Sequence, residues 1–191
     1  AGHLALRAAY ESQLRGYRTG GFVGAFVLDA RWGIAQGFDH YFDEFDLSED
    51  VGPGLDAIQR RGGEVVDQAT AWLGQASTQP FFAWVHLYDP HTPYDAPTEF
   101  ASRFPATRDG AYDAEIAYTD SQVGRLLAAL TSAGQLENTV VVVLADHGEQ
   151  LGDHHLLGKI GYFDQSYHIP MIVRDPDALA DGTRGTIVER F

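Results

Sequence analysis

Four consecutive valines at positions 140–143 are the feature that most restricts how this chain can fold. β-Branched side chains favour extended backbone, and a continuous apolar run is typical of a strand covered on both faces, as in parallel sheets. The apolar run continues to Ala145 and is followed by residues 146–149, which read Asp-His-Gly-Glu. Residues 139–145 are therefore predicted to form a buried parallel strand whose carboxyl end carries polar side chains.

Apolar periodicity places helices and strands in alternation along the rest of the chain. Helices are predicted over residues 3–15, 65–73 and 113–133, and further strands over residues 22–28, 81–88 and 169–174. The predicted buried faces are Leu4, Ala8 and Leu14 in the first helix, Val65, Val66, Ala69, Trp72 and Leu73 in the second, and Ile116, Val123, Leu127 and Leu130 in the third. This alternation predicts an α/β fold with a mostly parallel sheet between helical layers.

Three segments are predicted to lie outside the regular elements. Gly20 and Gly21 are expected to break the chain before the first strand. The acidic, aromatic stretch 39–50 is interpreted as a solvated loop. Residues 89–111 contain four prolines and are too long for a plain connection, which favours a functional loop.

Composition limits the classes of partner. Thirteen Lys and Arg against 27 Asp and Glu give a net charge of −14, which disfavours binding to nucleic acid or to an anionic membrane. The absence of cysteine rules out disulfides, thiolate metal sites and cysteine nucleophiles in this sequence. No apolar run approaches the roughly 20 residues that span a bilayer. The sequence contains no signal for the compartment or the oligomeric state. Because it starts at Ala1, we expect it to be an excised or incomplete segment.

Two predicted strand ends carry candidate ligands. Asp146 and His147 follow the valine strand, and His91 follows the strand at 81–88. In open α/β sheets, ligands bind beyond the carboxyl ends of strands, and an oxygen and a nitrogen ligand together suit several divalent metals. Gly148 would permit a sharp turn. The alternative is structural, with a capping aspartate and a hydrogen-bonded histidine.

Four stretches of the sequence resemble successive blocks of the sulfatase family, within the alkaline phosphatase superfamily, and in the same order. They are "GYRTGGFVGAFVLDARWGIAQGFDHY", "PFFAWVHLYDPHTPYDAP", "YDAEIAYTDSQVGRLLAALTSAGQLENT" and "VVVVLADHGEQLGDHHLLGKIGYFDQSYHIPMIVRDP". The resemblance covers most of the chain. It implies that residues 1–191 are part of a single catalytic domain with an alkaline-phosphatase-like fold, truncated at both ends.

The resemblance also implies roles for individual residues. Asp146 and His147 match one half of the family's divalent-metal site, with calcium expected, or manganese or zinc in a phosphonate hydrolase. Lys159 and His91 match residues that contact the sulfate or phosphonate oxygens. The nucleophile of the family is a formylglycine made from a Cys/Ser-x-Pro-x-Arg motif, which this sequence lacks. We therefore expect the nucleophile outside this segment, and the segment alone to be inactive and prone to aggregate.

Other histidines and acids are interpreted as structural. His86 is expected to face the inside of the sheet, and Glu149 to orient a ligand or to be solvated. A loop role is preferred over metal binding for His154 and His155. His168 and the three tryptophans are assigned to packing, namely Trp32, Trp72 and Trp84.

Three functions stay open on these observations. A sulfuric ester hydrolase is preferred, a phosphonate or phosphate monoester hydrolase is the near alternative, and a non-catalytic binding relative is the third. In the first two cases the partner is a small anionic sulfate or phosphonate ester, which Lys159 and a cation can both attract. His91, Asp146, His147 and Lys159 are expected to converge at the carboxyl edge of one sheet.

Overall fold

A computed structural model of the chain describes residues 2–45 and 58–177. Its α-helices are α1 (Gly2–Leu14), α2 (Gly62–Leu73), α3 (Thr98–Ala101), α4 (Arg108–Ser132) and α5 (Asp164–Tyr167). Its strands are β1 (Arg18–Val23), β2 (His40–Phe42), β3 (Phe81–His86), β4 (Val141–Leu144), β5 (Gln150–Leu151), β6 (Leu157–Gly158) and β7 (Met171–Arg174). The contacts divide into two compact units, the first ending at Ala129 and the second beginning at Leu130. The assignment of the whole chain to one domain stays a prediction.

The first unit is built on a three-stranded parallel sheet in the order β2-β1-β3. Strand β1 lies in the middle, and its register with β3 pairs Arg18 with Phe81 and Val23 with His86. Parallel strands need crossover connections, and α2 lies in the sequence between β2 and β3. The predicted α/β class with a parallel sheet and helices is confirmed.

Gly20 and Gly21 lie inside strand β1 and do not break the chain as predicted. A Cβ atom on Gly21 would lie 2.5 Å from the Tyr41 ring, and one on Gly20 would lie 2.9 Å from the Phe22 ring. Aromatic side chains thus pack directly on the strand backbone. The two glycines leave room for these rings, and β1 begins at Arg18, before the predicted start at residue 22. Residues 26–28, which were predicted to continue the strand, form a short 3₁₀ turn.

The buried face of α2 agrees with the predicted pattern, while that of α1 does not. All five predicted residues of α2 are buried. In α1 the buried residues are Ala5 and Ala9, whereas Leu4 and Leu14 are 76% and 68% exposed. Apolar residues occur on several sides of α1, so the apolar pattern alone does not identify the buried face. The side that packs closely is the one with the small side chains of Ala5 and Ala9.

Helix α4 also turns a different face inward from the one predicted. Ile116 is 43% exposed, Val123 and Leu127 are half-buried, and of the predicted residues only Leu130 is buried. The residues that are buried instead include three polar side chains at helical spacing, Glu115, Tyr118 and Gln122. An apolar pattern cannot reveal such a face, and it becomes important for the candidate site.

The second unit contains two small antiparallel pairs. Strand β4 pairs with β7, with Val141 opposite Arg174 and Leu144 opposite Met171, and β5 pairs with β6. The prediction of a parallel strand covered on both faces is therefore wrong for β4 within the described part of the chain. Its side chains alternate between half-buried and exposed, as expected of an antiparallel strand that is covered on one face.

Two predicted loops contain regular structure. The stretch 39–50 includes strand β2, and its residues 46–50 lie outside the described part. The segment 89–111 includes α3 and the first turn of α4, which begins at Arg108 rather than at residue 113. None of the described helices is both long and apolar enough to cross a membrane.

Phe22 is the largest fully buried side chain of the first unit and packs edge-on against Trp72, with ring centroids 5.7 Å apart. We expect Phe22→Ala to lower the free energy of unfolding by about 3–5 kcal/mol, because it removes contacts and leaves a cavity. Leu14→Ala is the control and should have almost no effect, since Leu14 is exposed. Chemical denaturation of both variants measures the difference. If both variants lost the same free energy of unfolding, Leu14 would be buried and α1 would have its predicted face inward.

Candidate functional site

Asp146 and His147 lie where the chain leaves strand β4. Oδ1 of Asp146 is 3.8 Å from Nε2 of His147, and the two side chains are 50% and 29% exposed. The Nδ1 atom of His147 lies 2.7 Å from the carbonyl oxygen of Gly148. Because a carbonyl only accepts, Nδ1 carries the proton in the neutral ring, which puts the lone pair on the nitrogen that faces Asp146.

This pair fits two ligands of one divalent cation. Two ligand atoms 3.8 Å apart can both lie about 2.0–2.4 Å from a shared metal ion. A metal-binding histidine commonly donates its other ring N–H to a carbonyl, as His147 does. Within residues 2–45 and 58–177, no group of three or more His, Cys, Asp and Glu residues could hold a metal ion. The described pair would therefore supply only two ligands, and a metal role for it stays a prediction.

Gly148 is required by close approach rather than by the sharp turn that the sequence suggested. Its φ angle is not among the positive ones. Its N–H donates to the carbonyl oxygen of Ser166 at 2.7 Å, and a Cβ atom would lie 2.1 Å from the carbonyl oxygen of Gln165. The backbone after the Asp146-His147 pair is thus packed against the segment at 165–166 with no room for a side chain.

The hairpin formed by β5 and β6 brings Lys159 back toward this pair. Gln150 lies opposite Gly158 in that hairpin, so continuing the register by one residue sets Glu149 opposite Lys159. The connection between the two strands needs left-handed backbone at Gly152, His154 and His155. Lys159 is exposed and forms no ion pair among the described residues. Glu149 and Lys159, ten residues apart in the sequence, are thereby set at facing positions of the hairpin.

Gln150 fixes the segment that follows Lys159. Its side chain is fully buried, and its Nε2 donates to the carbonyl oxygen of Ile160 at 2.6 Å and to Oγ of Ser166 at 3.1 Å. Ser166 also accepts from Gly148 through its carbonyl oxygen. The backbone on both sides of Lys159 is consequently bound to Gln150, by strand pairing at Gly158 and by the side chain at Ile160.

His91 belongs to the first unit, in the segment that follows β3. Its ring stacks on Tyr88 with centroids 4.3 Å apart, and its Nδ1 lies 2.8 Å from the carbonyl oxygen of Thr92. The carbonyl again fixes the proton on Nδ1, so any proton that His91 gives to a ligand would come from Nε2. Asp146, His147 and Lys159 belong to the second unit, and their convergence with His91 stays a prediction.

The residues that anchor the His91 segment were missed by sequence reasoning. Both side-chain oxygens of Asp89 accept from the backbone N–H of Gly62, at 3.0 and 2.8 Å. Asp89 is only 8% exposed, and burial raises its pKa. A Cβ atom on Gly62 would lie 2.6 Å from the Asp89 carboxylate. Two adjacent glycines at a helix start were the available signal.

The remaining histidines have contacts that differ from one another. The His86 ring lies between those of Trp84 and Tyr88, with centroids 6.0 Å away on each side. His154 stacks on Phe163 at 3.9 Å. His155 and His168 are exposed. Within the described residues, none of the four is grouped with the acids and histidines that a metal site would need.

The family model described as Sulfatase matches residues 7–190 of this sequence. The chain belongs to the sulfatase family. The match includes all four predicted site residues, and it agrees with the resemblance of the separate motifs.

Two individual relatives match shorter parts of the chain. The multifunctional alkaline phosphatase superfamily protein PehA of Trinickia caryophylli is 52% identical over 56 residues, 29% of this chain and 11% of PehA. An arylsulfatase of Clostridium perfringens is 35% identical over 79 residues, 41% of this chain and 16% of that enzyme.

A solved structure supports the fold independently of these sequences. The phosphonate monoester hydrolase of Agrobacterium radiobacter superposes with a TM-score of 0.66 over 91% of this chain, at 22% identity. The aligned part is 52% of that enzyme, so this chain spans about half of its length. At this identity the likeness shows an alkaline-phosphatase-like α/β fold.

Gly148→Ala tests the close packing of the backbone that follows the Asp146-His147 pair. We expect a loss of about 1–3 kcal/mol in stability, because the new methyl group must displace the backbone at residue 165. Gly124→Ala is the matched control, since Gly124 is exposed on α4 with nothing within 4 Å of a Cβ atom. That substitution should stabilise by about 0.5–1 kcal/mol. Thermal unfolding of both variants gives the comparison, and a neutral Gly148→Ala would contradict the packing described.

Proposed function

We propose that the protein containing this chain is a sulfuric ester hydrolase that uses a divalent cation. The observation that carries the proposal is the Asp146-His147 pair at the end of β4. The register of the β5-β6 hairpin, continued by one residue, sets Lys159 opposite Glu149, two residues after His147. Membership of the sulfatase family and the likeness to an arylsulfatase support it. The substrate would be a small anionic sulfate ester.

Asp146 and His147 would hold the cation, and calcium is the ion we propose. A bound cation polarises an ester oxygen and stabilises charge that builds up during hydrolysis. Asp146 contributes a full negative charge to that ion and His147 a neutral nitrogen. Lys159 adds a compact positive charge that suits tetrahedral anionic oxygens. In a chain with net charge −14, such local positive charge is needed to attract an anion.

His91 would act on the leaving group. With Nδ1–H donated to the Thr92 carbonyl, a second proton on Nε2 can be given to the oxygen that departs. General acid catalysis of this type contributes about 10²–10⁴-fold when the leaving group is poor. The stack on Tyr88 restricts the ring to one plane.

The nucleophile would be a formylglycine supplied from another part of the protein. The sequence contains no Cys/Ser-x-Pro-x-Arg motif, and the chain spans about half of the hydrolase with which it superposes. The whole protein is therefore the object to assay. The 191 residues alone are proposed to be inactive.

A phosphonate or phosphate monoester hydrolase is the second candidate. It is favoured by the fold of the phosphonate monoester hydrolase and by the identity with PehA. In that case manganese or zinc would replace calcium. Turnover of matched aryl sulfate, aryl phosphate and aryl phosphonate esters by the whole protein distinguishes the candidates. A preference for the sulfate supports the first proposal, and a preference for a phosphorus ester supports the second.

Asp146→Ala and Lys159→Ala should separate metal binding from substrate binding. Asp146→Ala removes a charged ligand, so both metal content and turnover should collapse. Lys159→Ala should keep the metal and lower turnover by roughly a hundredfold to a thousandfold, as expected when one charge-stabilising donor is lost. Elemental analysis beside steady-state kinetics measures both effects.

Asp153→Ala is a control for this pair of variants, because Asp153 is an exposed acid of the same hairpin. It should retain both metal and activity. Loss of the metal in Lys159→Ala, together with a metal-loaded and active Asp146→Ala, would reverse the assignment.

His91→Ala should slow the hydrolysis of alkyl esters far more than that of nitrophenyl esters. A nitrophenolate leaves without protonation, whereas an alkoxide needs a proton. We expect the loss to grow from under about tenfold to about a hundredfold or more as the leaving-group pKa rises. A plot of rate against leaving-group pKa for both proteins provides the measurement. Parallel slopes would exclude His91 as the proton donor.

A further inference from the structure

Glu115 is a buried acid that the roles assigned above do not use. It projects from the third turn of α4, is 3% exposed, and its Oε2 atom is buried with no hydrogen-bond partner among the described residues. Its pKa is raised to about 7, chiefly by burial and also by the nearby carboxylates of Asp89 and Asp95, while the Asp95 N–H and Arg61 act in the opposite direction. Burying such a group costs free energy, which calls for an explanation.

The contact that Glu115 makes is with the backbone beyond His91. Its Oε1 accepts from the N–H of Asp95 at 2.6 Å. Arg61 holds the same residue from another side, donating to the carbonyl oxygen of Asp95 at 2.7 Å and to its Oδ2 at 2.6 Å. The carboxyl end of the segment 89–95 is thus fixed by one residue of α4 and one that precedes α2.

The amino end of the same segment is fixed by Asp89. Its carboxylate binds the N–H of Gly62 at the start of α2, and the next N–H, that of Gly63, donates to Oη of Tyr118 on α4 at 2.9 Å. Glu115 and Tyr118 are one helical turn apart. One face of α4 therefore holds the end of the segment directly through Glu115 and the start of α2 through Tyr118.

We propose that Glu115 is a positioning residue for His91, which it acts on by fixing the backbone at Asp95 while Asp89 fixes the opposite end of the segment 89–95. The proposal rests on the function proposed above, in which His91 donates a proton to the leaving group. Glu115 does not touch the substrate. It determines the position of the His91 imidazole by fixing the backbone of the segment 89–95. A displacement of about 1 Å at a reacting group typically lowers the rate about a hundredfold.

A double-mutant cycle in the whole protein tests the proposal. Glu115→Ala removes the acceptor of the Asp95 N–H, while Glu115→Gln keeps an acceptor oxygen and removes the ionisable group. Both are measured alone, and Glu115→Ala also in a His91→Ala background, with nitrophenyl and alkyl esters. Glu99→Ala is the matched control, because Glu99 is an exposed glutamate on α3.

The expected result has three parts. Glu115→Ala slows the alkyl ester by about tenfold to a hundredfold and the nitrophenyl ester by much less, in kcat rather than in KM. Glu115→Gln recovers most of this loss. In the His91→Ala background, Glu115→Ala causes no further change in the dependence on the leaving group, since two residues that act as one unit are not additive. Glu99→Ala behaves as the unchanged protein.

Other results overturn the proposal. Equal losses on both esters, or an additive double mutant, would mean that Glu115 only supports the fold. If the loss of rate caused by His91→Ala is the same for both esters, the proposed role of His91 is contradicted instead. The two failures are therefore distinguishable. If Glu115→Ala does not fold, Arg61→Ala is the second variant, because it removes the other hydrogen bonds to Asp95 and Arg61 is exposed. It must show the same selective loss of rate on alkyl esters.

Discussion

Backbone N–H groups, rather than basic side chains, hold the carboxylates on which the first unit depends. With 27 acidic and 13 basic side chains, more than half of the acids could have no basic partner even if every cation were paired. Asp39 accepts from the N–H of Thr19, Asp89 from Gly62, and Glu115 from Asp95. Each bond joins segments at least 20 residues apart in the sequence. Two of these acids, Asp89 and Glu115, are buried, whereas Asp39 is exposed. The excess of acid therefore connects distant segments both inside the unit and at its surface.

The fold could be predicted from the sequence where side-chain size and polarity act together. Helix α2 has five apolar residues at helical spacing and strand β3 is a short aromatic run, and both occur where they were expected. The pattern failed where the backbone itself forms the packing surface, as at Gly20 and Gly21. It failed again at β4, because four valines specify an extended chain but not whether its partner runs parallel or antiparallel.

The candidate site shows the same division. Asp146, His147, Lys159 and His91 were found because they occur in short motifs that resemble a family. The residues that hold the His91 segment were missed, because their contacts form only in the folded chain. Gly62 and Asp89 are 27 residues apart, and Asp95 and Glu115 are 20 residues apart. A buried glutamate on a helix has no apolar periodicity to mark it. Sequence reasoning thus identified the groups that would meet a ligand and overlooked those that hold the backbone beneath them.

Lys159 is the only lysine in the sequence, and it is exposed at the end of a hairpin whose flanks are tied down by Gln150. Every other basic side chain of the chain is an arginine or a histidine. Apart from a chain terminus, acylating reagents selective for primary amines therefore have a single target in these 191 residues. The extent of acylation, read by mass spectrometry, would therefore report on one position, and it would fall if the proposed anion shields the amine of Lys159.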